Sequence, residues 1–128
     1  MASTYENDLR LQEIGTGEQS GTWGVTTNTN LELVAEALSY SGTGEVIPDL
    51  PVHPITMANG VADEARCLYL KCTGGGQACT VTLAPSSLSK VWMVENQTSY
   101  TLTFSQGSSG ANVAVLAGQV KMIATDGA

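Results

Sequence analysis

Between residue 52 and the C-terminus, several runs alternate large apolar and hydroxyl-bearing residues, and few folds accept that pattern. In the run from Cys79 to Ala84, Cys79, Val81 and Leu83 fall on one face, with Thr80 and Thr82 on the other. In the run from Tyr100 to Ser105, Tyr100, Leu102 and Phe104 oppose Thr101, Thr103 and Ser105. Leu68, Leu70 and Cys72 repeat the spacing. A period of two belongs to a β-strand. Threonine on one face and aliphatics on the other predict an antiparallel sheet that is wet on one side.

The same reading predicts strands near Val52–Ala58, Arg66–Thr73, Ala78–Ala84, Lys90–Asn96, Tyr100–Gln106, Asn112–Ala117 and Gln119–Thr125. Turn signals separate most of them: Asn59-Gly60, Gly74-Gly75-Gly76, Pro85-Ser86-Ser87, Gly107 to Gly110, and Gly118. Two strands break the alternation. Val91-Trp92-Met93-Val94 is apolar on both faces, and so is Val120 to Ala124 around Lys121. Such strands need cover on their second side, from a helix or from a neighbouring subunit. Seven short strands with regular turns predict a mainly β fold, an antiparallel β-sandwich or jelly-roll-like domain over 52–128. No internal repeat stands out.

Residues 1–51 read differently. The first 27 are rich in Gly, Thr and acidic residues, and their large apolar groups, Leu9, Leu11, Ile14 and Trp23 with Met1, Tyr5 and Val25, are too few for a core. They are expected to form an extended arm that lies on another surface. Thr29 followed by Glu32 fits a capping box. Leu31, Val34, Ala35 and Leu38 then form one apolar stripe, which predicts a short α-helix over about 29–40, closed by Gly42 and Gly44. Residues 41–51 read as a linker. Pro48, Pro51 and Pro54 forbid helix and disfavour a central strand.

Charged residues make up 13% of the chain, about half the globular share of roughly 25%. The net charge is −7, and Arg10, Arg66, Lys71, Lys90 and Lys121 are scattered, which speaks against nucleic acid and against anionic membranes as partners. No apolar run approaches the roughly 18 residues of a membrane span. The N-terminus lacks a basic region followed by an apolar one, so the expectation is folding in a cytosol, with the three cysteines reduced.

The sequence offers little to catalysis or cofactors. Gly15, Gly17 and Gly21 have neither the spacing nor the lysine of a phosphate loop. Cys67, Cys72, Cys79 and His53 contain no CxxC knuckle for zinc. His53 is the one histidine, and Asp63 with Glu64 reads as a solvated turn. Asn96-Gln97-Thr98 matches a glycosylation sequon but reads as a strand-to-strand turn. The expectation is no enzyme, no metal and no cofactor.

Two segments carry a resemblance. NDLRLQEIGTGEQSGTWGVTTNTNLELVAEAL, residues 7–38, resembles the N-terminal region of tail-fibre-type structural proteins of tailed bacteriophages. CTVTLAPSSLSKVWMVENQTSYTLTF and GANVAVLAGQVKMIATDG, residues 79–104 and 110–127, are similar to the β unit of such fibres. The matching positions are Thr80 to Leu83, Lys90, Asn96 and Thr98, Gly118, Lys121 and Asp126-Gly127. The linker around IPDLPVHPITMANG and the three cysteines have no counterpart in that pattern.

The resemblance implies a virion component assembled in the host bacterial cytoplasm. It would be a homotrimer whose N-terminal half docks onto tail or neck proteins. Its arm would gain shape on docking. Leu9, Leu11, Ile14, Trp23, Leu31, Val34, Leu38, Trp92 and Met93 are then the expected attachment and oligomer interface. Alternatives are a capsid decoration or head-fibre protein, and a receptor- or glycan-binding module using Tyr69, Trp92 and Tyr100. The end at Asp126-Gly127-Ala128 is turn-like, where fibre proteins often continue; a fragment and a stand-alone adaptor both remain open.

Overall fold

The computed structural model describes residues 2–40, 44–107 and 111–127, apart from the side chain of Glu64. Gly42, residues 108–110 of the turn expected over Gly107 to Gly110, and Ala128 lie outside the described residues. One helix, α1 (Trp23–Ala37), precedes eight strands: β1 (Glu45–Ile47), β2 (Val52–Thr56), β3 (Tyr69–Gly74), β4 (Cys79–Ala84), β5 (Ser89–Asn96), β6 (Leu102–Ser105), β7 (Val113–Val115) and β8 (Val120–Asp126). The fold is mainly β, in two four-stranded sheets ordered β1-β3-β5-β8 and β2-β4-β6-β7. Each of the seven expected strands is present. The eighth, β1, lies in the stretch read as a linker, so the sheets begin before residue 52.

Strand direction departs from the expectation. β1-β3, β3-β5, β2-β4 and β4-β6 are parallel, and only β5-β8 and β6-β7 are antiparallel. The first six strands alternate between sheets, so each strand's crossover is the strand opposite it in the other sheet. The chain winds as a coil. Glu45 faces Cys72, Tyr69 faces Met93, Val52 faces Thr80 and Cys79 faces Leu102, offsets of 27, 24, 28 and 23 residues. Three coils are thus stacked, and the reversed pair β7 and β8 closes the last. This is an internal repeat of structure, of the kind found in solenoids. Uneven turn lengths hide it from the sequence.

The arches at one end show how the coils register. Gly75 N donates to Ile47 O (2.7 Å), Gln97 N to Cys72 O (2.8 Å) and Gly118 N to Asn96 O (2.8 Å), each arch bonding the one before it. A Cβ at Gly76 would run into the Asp49 side chain, so glycine there permits the close approach of successive turns. In the third arch the Asn96 side chain is fully buried. Its Nδ2 donates to Tyr100 O and Val115 O (both 2.8 Å), and its Oδ1 accepts from Thr98 N (2.9 Å) and Thr98 Oγ1 (2.6 Å). The sequon is therefore a structural turn, as its sequence context suggested.

The core lies between the sheets. Ile47, Leu70, Cys72, Trp92, Val94 and Ile123 enter from the first, and Ile55, Val81, Leu83, Leu102, Phe104 and Val115 from the second. The second sheet turns Thr80, Thr82 and Thr103 outward, half-buried, as the alternation predicted.

The N-terminal half is built onto this body. Thr4 and Glu13 exchange backbone bonds (3.0 and 2.9 Å), Gly60 N donates to Arg10 O (2.7 Å), and Ser89 N donates to Asp8 Oδ1 (2.8 Å). The expectation of an arm that gains shape on docking is corrected: it lies along its own β body. The helix begins at Trp23, six residues before the expected start, and ends at Ala37. Thr29 and Glu32 fall inside it rather than at a cap. Its inner face is Thr26, Asn30, Leu33 and Ala37, with Leu33 and Ala37 buried. Asn30 and Gln12 bond reciprocally, side chain to backbone (3.1 and 2.9 Å). The stripe Leu31, Ala35 and Leu38 faces out, because these polar partners hold the opposite face down.

Replacing Asn96 by alanine removes the side-chain partners of Val115 O and Thr98 N inside the arch and is expected to cost about 2–3 kcal/mol. Urea unfolding of Asn96→Ala measures this; a midpoint equal to that of the parent would contradict the role given to the arch.

Candidate interaction surface

Of the nine expected interface residues, Trp92 is removed from consideration. It is 1% exposed, its Nε1 donates to Ala65 O (2.8 Å), and Lys90 Nζ sits 4.6 Å from its ring centre. A strand that looked apolar on both faces needs a large side chain inside, and Trp92 is that side chain. Leu9, Leu11 and Ile14 are half-buried against the protein's own body. The remaining five fall on two separate surfaces.

The first is a ridge on α1. Trp23 and Leu31 are 62% exposed and Leu38 is 73% exposed, with Val34 half-buried beside them. At about 100° per residue these four span a sector of about 80° on the helix, next to the sector of Leu33 and Ala37. Glu32 and Glu36 fall outside that sector.

The second is the outer face of the first sheet. Met93 pairs with Met122 on one side and Tyr69 on the other, Val91 with Ala124, and Glu95 with Val120. Val91, Val120, Met122 and Ala124 are exposed, Met122 at 65%. Tyr40 stacks on Tyr69 with ring centres 4.8 Å apart. Tyr69 Oη donates to Glu95 Oε1 (2.6 Å), which lowers the Glu95 carboxyl and pushes the phenol up to about 12. Glu95 is thus held in place on this face as a carboxylate. The expected interface named Met93 alone of this face. The doubly apolar run at 120–124 was the signal for the rest.

Other groups are committed internally. His53 Nε2 lies 2.9 Å from Glu45 Oε1. Cys67, Cys72 and Cys79 are buried and free of disulfides, and desolvation raises the Cys79 thiol and takes Cys72 to about 12. Cys72 and Cys79 flank an arch between sheets rather than a hairpin. Among the described residues no three His, Cys, Asp or Glu side chains form a metal-holding group. No described helix is long and apolar enough to cross a membrane.

The aromatic groove proposed for glycans is not assembled: Trp92 is in the core, whereas Tyr69 lies on the outer face of the first sheet and Tyr100 is exposed. A half-open cavity of about 440 Å³ lies over Leu83, Phe104, Val113 and Ile123. Ser105, Gln106 and Thr125 at its margin donate to Gly107 O and Leu88 O (each 2.9 Å), so their donors do not converge on its interior. Comparison of the chain with protein-family models, with curated proteins and with solved structures finds no match.

Lys90 gives this region a pH signature. Burial lowers its ammonium to about 8, while its Nζ donates to Cys67 O (3.3 Å) and Val91 O (3.2 Å). Between about 8 and the unfolded value of 10.5 the unfolded chain holds more protons, so stability rises with pH. Cys72 works in the opposite sense from its unfolded value of 9.0 upward, as its buried thiol resists ionising. Stability is therefore expected to rise from about pH 8 to 9, to level off between 9.0 and 10.5 where the two groups oppose each other, and to fall above that. Denaturant melts across that range test this: Lys90→Met should abolish the rise and keep the fall, and an unchanged profile would refute the assignment.

Proposed function

We propose that the chain is a structural component of a tailed-bacteriophage particle, a tail fibre or fibre adaptor. It attaches through its N-terminal half to tail or neck proteins and associates with copies of itself. The resemblance of residues 7–38 and of the β strands to such proteins motivates the reading. The observation that carries it is the uncharged ridge of Trp23, Leu31, Val34 and Leu38 on a chain of net charge −7. Contiguous apolar surface of this kind marks protein contacts. The ridge lies within the segment that bears the resemblance, on a helix fastened to a rigid body. That arrangement suits docking of one folded part on another, with no chemistry performed.

Immunogold labelling of purified particles, with antibody raised against the chain, tests this. Label at the tail or neck is expected, and Leu31→Glu with Leu38→Glu should reduce incorporation without unfolding the protein. Label on the head would replace the proposal with the capsid-decoration reading, and particles without label would refute a virion role altogether.

A further inference from the structure

The strand edges of the two sheets are not equivalent. β1 and β7 are three residues long, and short edges pair poorly. β2 is longer but carries Pro54. Met57 N donates to Ala84 O (2.9 Å), so the odd-numbered residues of β2 turn their backbone groups to β4 and Pro54 stands on the open side. There it removes a donor from the free edge. β8 has none of these defences along its outer side. It is seven residues long, contains no proline, and is the terminal strand of its sheet.

The direction of its backbone groups follows from its pairing with β5. Asn96 N donates to Gln119 O (2.9 Å) and Met93 N to Leu68 O (2.7 Å), so even-numbered residues of β5 face β8 and odd-numbered ones face β3. By the alternation of an antiparallel ladder, Lys121, Ile123 and Thr125 spend their backbone groups on β5. Val120, Met122 and Ala124 present theirs outward. The same three residues have exposed side chains. Lys121, the charge within this stretch, is turned inward and donates to Ala114 O (2.9 Å).

We propose that β8 pairs with β8 of a second copy, antiparallel, about a twofold axis through Met122. Met122 then faces Met122 of the other copy, and Val120 faces Ala124 in both directions. All three positions are outward-facing, so about six backbone hydrogen bonds form, two for each pair. The two first sheets become one sheet of eight strands. The occupant is a second copy for two reasons. The strand is complementary to itself in this register, with apolar side chains opposite apolar ones. Its surroundings also suit an equally acidic neighbour, because the paired positions carry no charge that two copies would set against each other.

The edge inventory fixes the closure too. A ring of three joined by strand pairing, or an open filament, needs two different free edges on each copy, and the described chain offers one long one. An isologous pair uses that edge on both partners and closes. The inference concerns the protein in solution and stands apart from the virion role.

Light scattering of the full chain over a range of concentrations tests it. Twice the 13.3 kDa chain mass is expected for the parent. Met122→Pro, which removes the central outward donor, and Ala124→Lys, which places a cation on an already exposed position, should each return the mass to 13.3 kDa with an unchanged circular dichroism spectrum. If the proline variant does not fold, the lysine variant alone decides. A parent that stays at single mass throughout, a mass of three copies, or a folded variant that keeps the double mass would overturn the proposal.

Discussion

Arg66 is the point on which the two halves of the molecule depend. Its side chain is wholly buried. A guanidinium taken out of water costs several kcal/mol unless acceptors surround it, and here they do. Nε donates to Leu9 O (3.1 Å), Nη2 to Ala58 O (2.7 Å) and Nη1 to Val61 O (2.5 Å), with the Glu36 carboxylate 3.4 Å away and that of Asp63 at 3.8 Å. Those acceptors belong to the arm, the loop between β2 and β3, and the helix. None of the three can leave without orphaning part of a buried cation. The outward direction of the α1 ridge follows from this, because Glu36 is held on the body side of the helix and Leu31 and Leu38 stand opposite.

Around that point the fold is a stack of coils, and stacking sets what is left uncovered. Each arch bonds the preceding arch through backbone groups, so interior coils satisfy one another and the ends remain. At the first end the short β1 and the proline-bearing β2 stay as edges, and the chain just before β1 adds a rung beside β3: Tyr69 N donates to Ser39 O (3.1 Å), and Tyr40 stacks on Tyr69. The last end is closed by a reversal, with β7 and β8 returning antiparallel. A reversal ends the coil but leaves its own outer strand as a new edge. The apolar outer face of the first sheet and the free side of β8 meet there, which is why the exposed methionine and valines gather on one side of the molecule.

Much of the β body was legible in the sequence, for a simple reason. A period of two reports which side chains share a face, and Leu70, Cys72, Val81, Leu83, Leu102 and Phe104 all point inward as that period requires. The period carries no information on neighbour direction, so parallel coils read as antiparallel strands. β1 escaped notice because three residues between prolines and glycines hold no pattern. The helix was displaced because its inner face is partly polar, with Asn30 satisfied by Gln12, while its best apolar stripe faces solvent. In the sequence Arg66 is one of five scattered cations and nothing marks it as buried, since its acceptors are mostly backbone carbonyls that no sequence pattern displays. The apolar stripe of Leu31 and Leu38 was legible in the spacing; the burial of Trp92 was not, because hydrophobicity alone does not say which of two apolar faces is covered.

The central claim is that arm, helix and coils are one folded unit in the free protein, fastened through Arg66. Hydrogen exchange of the isolated chain measures this at named amides. Thr4, Glu13 and Gly60, which donate within the arm and from the body to it, should exchange slowly in the parent and at free-chain rates in Arg66→Leu. Free-chain rates at those three amides in the parent, with the strands still protected, would contradict the account.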